Sequence, residues 1–174
     1  MHGGEGTGRP PPDPGSTRGI AKVGVGIVVP GADPRFEVRS VEDLKRALLA
    51  AKTFVYADPA GGGAAGIHVA KVVEKLGLAT QLKAKTRYGA GGDVTEVTLA
   101  QGAGTVGLTQ ISEIVGKPGA WFAGPLPSEL QNYTGVTAGV PEGMPTSRAV
   151  GALLDFLTGP VVAAALKQRG MEPY

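Results

Sequence analysis

The sequence predicts an α/β domain with a mostly parallel sheet. Three observations predict it. Short, β-branched apolar runs alternate with segments of helical period along most of the chain. Three of the strand-like runs end in small-residue turns that open a helix, the mark of repeated βα units. Hydrophobic residues are 42% of the 174 and charged residues 18%, enough for one buried core and too apolar for a disordered chain.

Residues 1–18 have no hydrophobic period and carry Pro10, Pro11, Pro12 and Pro14, which predicts an extended or mobile Gly/Pro-rich arm. IAKVGVGIVV (20–29) is β-branched and closed by Pro30-Gly31, the pattern of a buried strand. Ser40-Val41-Glu42-Asp43 resembles a capping box, with Asp at the third helical position. Val41, Leu44, Leu48 and Ala51 then share one helical face. TFVYA (53–57) is the next strand. A loop from Asp58 to Gly66 follows, and a helix beginning near Ala65 carries Val69, Val72, Val73 and Leu76, with Gly77 suited to end it.

The pattern recurs. KAKTR (83–87) reads as a short strand, and Gly89-Ala90-Gly91-Gly92 leads into a helix over 93–101 that Gly102 ends. TVGLT (105–109) is the third strand of this kind, followed by a short helix over 110–114. Further strands are expected at 121–123 and 133–140. Helices are expected over 147–157 and 160–169, with Pro160 at a first helical position and Gly170 past the end.

Composition excludes several functions. A net charge of +2 and 5% aromatics leave no basic, aromatic-interleaved surface for nucleic acid. Without cysteine there is no disulfide, thiolate catalysis or thiolate metal site. His2 and His68 are too far apart for a metal motif, and no cofactor fingerprint is present. No apolar run approaches the ~18 residues that span a membrane. The N-terminus shows no secretory-signal pattern, which predicts a cytoplasmic protein if Met1 is the natural start.

The three junctions, 57→66, 87→93 and 109→112, fall at the carboxyl ends of strands, where open α/β sheets bind ligands. Helix starts there offer unpaired N–H groups and partial positive charge, and glycines let a ligand approach the backbone. Together they would cradle an oxyanion or carboxylate. The plainer alternative is that these glycines only make tight turns. No Gly-Lys-Ser/Thr follows, so this is no Walker loop, and Gly61-Gly62-Gly63 with Gly66 has the wrong spacing for a dinucleotide fingerprint.

Several blocks carry a family resemblance: VEDLKRALLAAKTFVYADPAGGGAAGIHVAKVVEKLGL, GGDVTEVTLAQGAGTVGLTQISEIV, GPLPSELQNYTGVTAGV and ALLDFLTGPVVAAALKQRGMEP. They resemble the type II periplasmic solute-binding proteins, in the molybdate-binding branch that serves ABC transporters. GIAKVGVGIVVP (19–30) is similar to the strand by which that family crosses into its second lobe. The resemblance implies a three-layer α/β/α fold and a periplasmic location. The ligand would be a small anion and the partner an ABC permease, with no reaction catalysed. It also implies that residues 19–140 are the second lobe with both hinge strands, and that most of the first lobe is missing. Residues 141–174 would then be helices made to pack on that first lobe.

Carried over residue by residue, the family's ligand contacts fall on the backbone N–H of Ala65, between Ala64 and Gly66, and of Val94, after Gly92 and Asp93. The family tyrosine aligns with Gln110, a departure that replaces a phenol by an amide.

Val150, Leu153, Leu154, Leu157 and Val161 lie at i, i+3, i+4, i+7 and i+11. Each is worth roughly 1.5–3 kcal/mol when buried. A second copy of the chain, or a separately encoded first lobe, is expected to cover them.

Single residues carry two interpretations each. His68, in the first turn of its helix, is a candidate acid–base group or a partly exposed helix histidine. Asp58 is a candidate catalytic carboxylate or a turn stabiliser. Arg87 is a candidate anion clamp or a solvated strand-end arginine. Thr109, Gln110 and Ser112 are candidate ligand hydrogen-bonders or caps of the short helix. Glu96 and Glu113 read as solvated helix faces.

Three functions are therefore expected to compete. The first is solute binding. The second is an isomerase or lyase acting on a small carboxylate on the same scaffold, with His68 or Asp58 moving the proton. The third is a non-catalytic dimeric remnant.

Overall fold

The computed structural model describes residues 11–31, 37–145 and 147–174. In chain order the elements are β1 (Arg18–Pro30), α1 (Val41–Ala50), β2 (Thr53–Ala57), α2 (Ala64–Lys75), α3 (Ala79–Lys83), β3 (Thr86–Gly89) and α4 (Val94–Gln101). Then come β4 (Thr105–Gln110), β5 (Ala120–Pro125), β6 (Tyr133–Ala138), α5 (Arg148–Leu157), α6 (Pro160–Gln168) and β7 (Glu172–Pro173). Short 3₁₀ turns lie at Pro14–Ser16, Pro59–Gly61, Ile111–Glu113 and Ser128–Leu130.

β1 organises the fold. Residues 23–29 are buried without polar alternation, as in a strand covered on both faces. Its first half, 18–24, pairs with β6 and, at Ala21 and Lys22, with β7. From Val25 onward it pairs with β4 and β5. The main sheet runs β3-β2-β4-β1-β5.

This sheet is mixed, which corrects the expectation of a mostly parallel one. β2 is parallel to β3 and β4, but β1 is antiparallel to all four of its partners. Alternating strands and helices report the βα units after β1. They do not report the direction of a strand that enters ahead of the first helix. β4 and β5 flank β1 and run parallel to each other, so β1 is the strand that turns the sheet mixed.

Helices cover both faces of the main sheet. Leu44 and Leu48 of α1, Val69, Val72 and Val73 of α2, and Leu82 of α3 meet Phe54, Tyr56, Val106 and Leu108 in one core cluster. Val94 of α4 packs with Val55 and Ala57, which point to the opposite face because side chains alternate along β2. Ser40 caps α1, its hydroxyl accepting from the Asp43 N–H at 3.1 Å.

The expected strand at 83–87 begins later, at Thr86, and α3 precedes it. The polar run Lys83–Arg87 has no apolar alternation to hold a strand. Burying Leu78 and Leu82 favours the extra helical turn, and the Thr86 hydroxyl donates to the Leu82 carbonyl at 2.9 Å.

Residues 12–17, expected in a mobile arm, are fastened to the segment after β6. Asp13 N–H donates to the Val140 carbonyl at 2.7 Å, Val140 N–H donates to the buried Ser16 hydroxyl at 2.8 Å, and Pro12 bridges Pro141. Residues 1–10, with His2, lie outside the described residues.

The C-terminal helices bury one side only. Leu154 is buried and Val150 and Leu157 are half-buried, while Leu153 is 55% exposed and Val161 70%. Phe156, which the sequence pattern did not single out, is 57% exposed beside them. Among the described residues no single helix is long and apolar enough to cross a membrane.

Candidate functional site

β3, β2 and β4 run parallel and adjacent, so the turns that follow them share one edge of the sheet. Ala64, Ala65 and Gly66 follow β2, Gly92, Asp93 and Val94 follow β3, and Thr109, Gln110 and Ser112 lie at the end of β4, so each group falls at that edge. The Asp58 N–H, just beyond β2, donates to the carbonyl of Gly89, the last residue of β3, at 3.0 Å and ties two of the turns.

At the first junction the Asp58 carboxylate accepts from the Ala60 N–H at 2.9 Å and holds the turn Pro59–Gly61. Gly62, at φ +76°, reverses the chain in the left-handed region that only glycine enters freely. Gly63 then starts α2 with no side chain to cap it, so the first N–H groups of the helix stay unpartnered within it. Gly66 lies against the strand end: a Cβ there would sit 2.5 Å from the Ala57 carbonyl oxygen.

At the second junction Asp93 occupies the N-cap of α4, yet its side chain makes no capping bond. Its Oδ1 is buried without a hydrogen-bond partner, on the side where a Cβ on Gly89 would come within 2.6 Å. The helix start is therefore open, as at α2. By contrast, serine side chains cap α1 and α5.

At the third junction the buried Thr109 hydroxyl donates to the Glu113 carboxylate through Oε2. Its one proton is thus committed, and it can only accept from a ligand. The Glu113 carbonyl accepts from the Thr95 hydroxyl at 2.9 Å, which joins α4 to the turn Ile111–Glu113. Glu113 Oε1 lies 3.9 Å from where a Cβ on Gly92 would be. Gln110 precedes that turn without capping it.

Glu113 is the residue that the helical-face interpretation missed. It is half-buried at this edge, not solvated. The available signal was a hydroxyl at a strand end four residues before a carboxylate.

Two expected residues do not join the cradle. Arg87 is exposed, and its Nη1 turns back to the Thr86 carbonyl at 2.9 Å. His68 Nε2 sits 2.7 Å from the Leu130 carbonyl, in a hollow lined by Lys71, Lys75 and Glu129 and by none of the junction residues. Glu96, on the first turn of α4, pairs with Lys117, and that hydrogen bond holds its carboxyl below the usual range. Among the described residues no cluster of three or more acidic or histidine side chains is placed to hold a metal.

This edge can therefore offer an anion two open helix starts and the Gln110 amide, with a carboxylate beside them.

Known proteins share the fold. The chain is 24% identical over 150 residues to an aconitate isomerase from a Pseudomonas species, covering 86% of this chain. It spans 55% of that protein's length. The periplasmic molybdate-binding protein of Azotobacter vinelandii superposes with a TM-score of 0.65 at 18% identity, over 92% of this chain and 69% of that one. Peb3 from Campylobacter jejuni superposes with a TM-score of 0.68 at 14% identity, over 96% and 72% of the two chains. With a family profile matching residues 5–172, the chain belongs to the family described as bacterial extracellular solute-binding protein.

Proposed function

We propose that this chain binds a small anion, an oxyanion or a carboxylate, as the ligand-holding lobe of an ABC-importer solute-binding protein. The observation that carries this is the pair of uncapped helix starts, α2 and α4, at the ends of adjacent parallel strands. Backbone N–H groups of Ala64, Ala65, Gly66 and Val94 hold the ligand, with the Gln110 amide beside them. Membership in a solute-binding family supports the same conclusion. A permease is the partner of the assembled importer. A second copy, or a separately folded first lobe, covers the apolar side of α5 and α6.

Thermal melts with molybdate, tungstate, sulfate, phosphate and di- or tricarboxylates test it. A ligand at a hundredfold excess over its Kd adds about 2.7 kcal/mol of stability. If no anion raises the melting temperature, the non-catalytic dimeric remnant is favoured over the binder.

A second function, isomerase or lyase on a small carboxylate, is favoured by one observation, the likeness to an aconitate isomerase. Asp58, at the first junction, would then transfer the proton, because His68 lies in a separate hollow. Solvent-proton exchange into tricarboxylates, followed by NMR, tests it. Exchange that Asp58→Asn leaves unchanged removes Asp58 from that role.

A further inference from the structure

We propose that Glu113 sets the ligand class. It admits small anions that carry a hydrogen-bond donor, a protonated oxyanion or a hydroxy acid, and rejects those that carry none, such as sulfate and molybdate. This rests on the anion-binding function proposed above and narrows its ligand.

The argument starts from an imbalance at the sheet edge. The helix starts supply donors only. The Glu113 carboxylate supplies acceptors: Oε2 is taken by Thr109, while Oε1 faces Gly92, just before α4, and has no donor among the described residues. Asp93 Oδ1 adds another acceptor without a partner at the same junction.

Among the described residues no cation pairs with these groups. Arg87 is turned onto its own strand, and Lys117 is engaged by Glu96. A metal bridge has no third ligand among the described residues.

An anion drawn to the α4 start thus meets Oε1. A ligand oxygen without a proton sets lone pair against lone pair and charge against charge, a juxtaposition that interfaces use to reject wrong partners. A ligand O–H instead donates to Oε1 in a charge-assisted hydrogen bond.

The experiment uses the full chain near neutral pH, where sulfate and molybdate carry no proton, inorganic phosphate retains one and malate has its hydroxyl. Affinities for the four are measured by calorimetry on the wild type and on Glu113→Gln. Phosphate or malate is expected to bind the wild type, with sulfate and molybdate at least about tenfold weaker. Glu113→Gln keeps an acceptor for the Thr109 hydroxyl and presents an N–H₂, so the ratio should shift toward sulfate and molybdate by about tenfold or more. Ratios within each protein cancel any general effect of the substitution on folding.

The proposal is overturned if wild-type protein binds sulfate or molybdate as tightly as phosphate and malate, or if Glu113→Gln leaves the ratio unchanged. Should none of the four bind either protein, the anion-binding function itself fails, and ligand selection with it.

Discussion

The side-chain amide of Gln131 hydrogen-bonds both backbone groups of Val25: Oε1 accepts from its N–H at 2.8 Å and Nε2 donates to its carbonyl at 2.9 Å. Val25 is where β1 changes partners, since Gly24 pairs with Tyr133 of β6 and Val25 with Gln110 of β4. At that point an amide stands in for a strand, and it ties the entry to β6 to the centre of β1. Gln131→Ala leaves the Val25 N–H without this acceptor, whereas the carbonyl keeps the Leu126 N–H at 3.0 Å. The expected loss is about 1–3 kcal/mol. In a chain of this size the melting temperature falls by roughly 2–4 °C per kcal/mol. Calorimetric melts check it, and an unchanged melting temperature would show that water replaces the amide at no cost.

Gly66 lets α2 begin directly against β2. Because a Cβ there would press on the Ala57 carbonyl at 2.5 Å, Gly66→Ala must move the helix start or the strand end. Overpacking of this kind costs about 1–3 kcal/mol. The shift also displaces the Ala64 and Ala65 N–H groups from the proposed ligand. Gly66→Ala should therefore lose ligand-dependent stabilisation as well as intrinsic stability. Melts of the variant with and without the best-binding anion separate the two effects, and full retention of the ligand shift contradicts the placement.

The Tyr56 phenol is buried, stacked on Phe54 with ring centroids 5.0 Å apart and edge-on to Tyr88 at 5.1 Å. Burial, and then the contact with the Tyr88 hydroxyl, push its pKa above the ordinary 10.0. The neutral form is favoured in the fold, so its contribution is complete below the unfolded value. It is lost as pH rises through the folded one. Stability of the wild type should fall above about pH 10. Lys22, raised by its hydrogen bond to Glu172, weakens over the same alkaline range, so the informative quantity is a difference. Tyr56→Phe should lose less stability than wild type between neutral and alkaline pH in denaturant melts. Parallel curves would show that Tyr56 ionises without opposing the fold.

How far the sequence reached depended on the range of the contacts. α1, α2 and β2 were legible because an apolar period, a serine cap and glycine punctuation coincide within ten or so residues. The three junctions were legible for the same local reason. The direction of β1 was not, because it is decided by pairing with strands that come far later in the chain, as Val25 with Gln110. Gln131 finds Val25 across 106 positions, through a side chain posing as backbone, and no local pattern encodes that. β7 is two residues long and has no period to detect. Glu113 was misjudged because helical periodicity was applied to a strand-to-turn corner. There Thr109 and Glu113 meet by the geometry of the bend.

The outer side of α5 and α6 leads to the last prediction. Leu153, Phe156 and Val161 remain more than half exposed, next to a buried Leu154 that anchors the pair inward. Each such side chain gains roughly 1.5–3 kcal/mol when fully covered, so covering the three is worth several kcal/mol. Three large apolar groups on adjoining helices make a patch of the kind that marks an interaction surface. Light scattering after size exclusion should give a mass above the 17.6 kDa of one chain. Phe156→Glu with Leu153→Glu should restore the single-chain mass. Because neither side chain is part of the inner core, the melting temperature at low concentration should stay within a few degrees. A wild-type protein that runs as a stable monomer over a wide concentration range would assign the covering role to a first lobe instead of a second copy. Mixing it with a first lobe taken from a solved relative should then suppress binding of an apolar dye to this side.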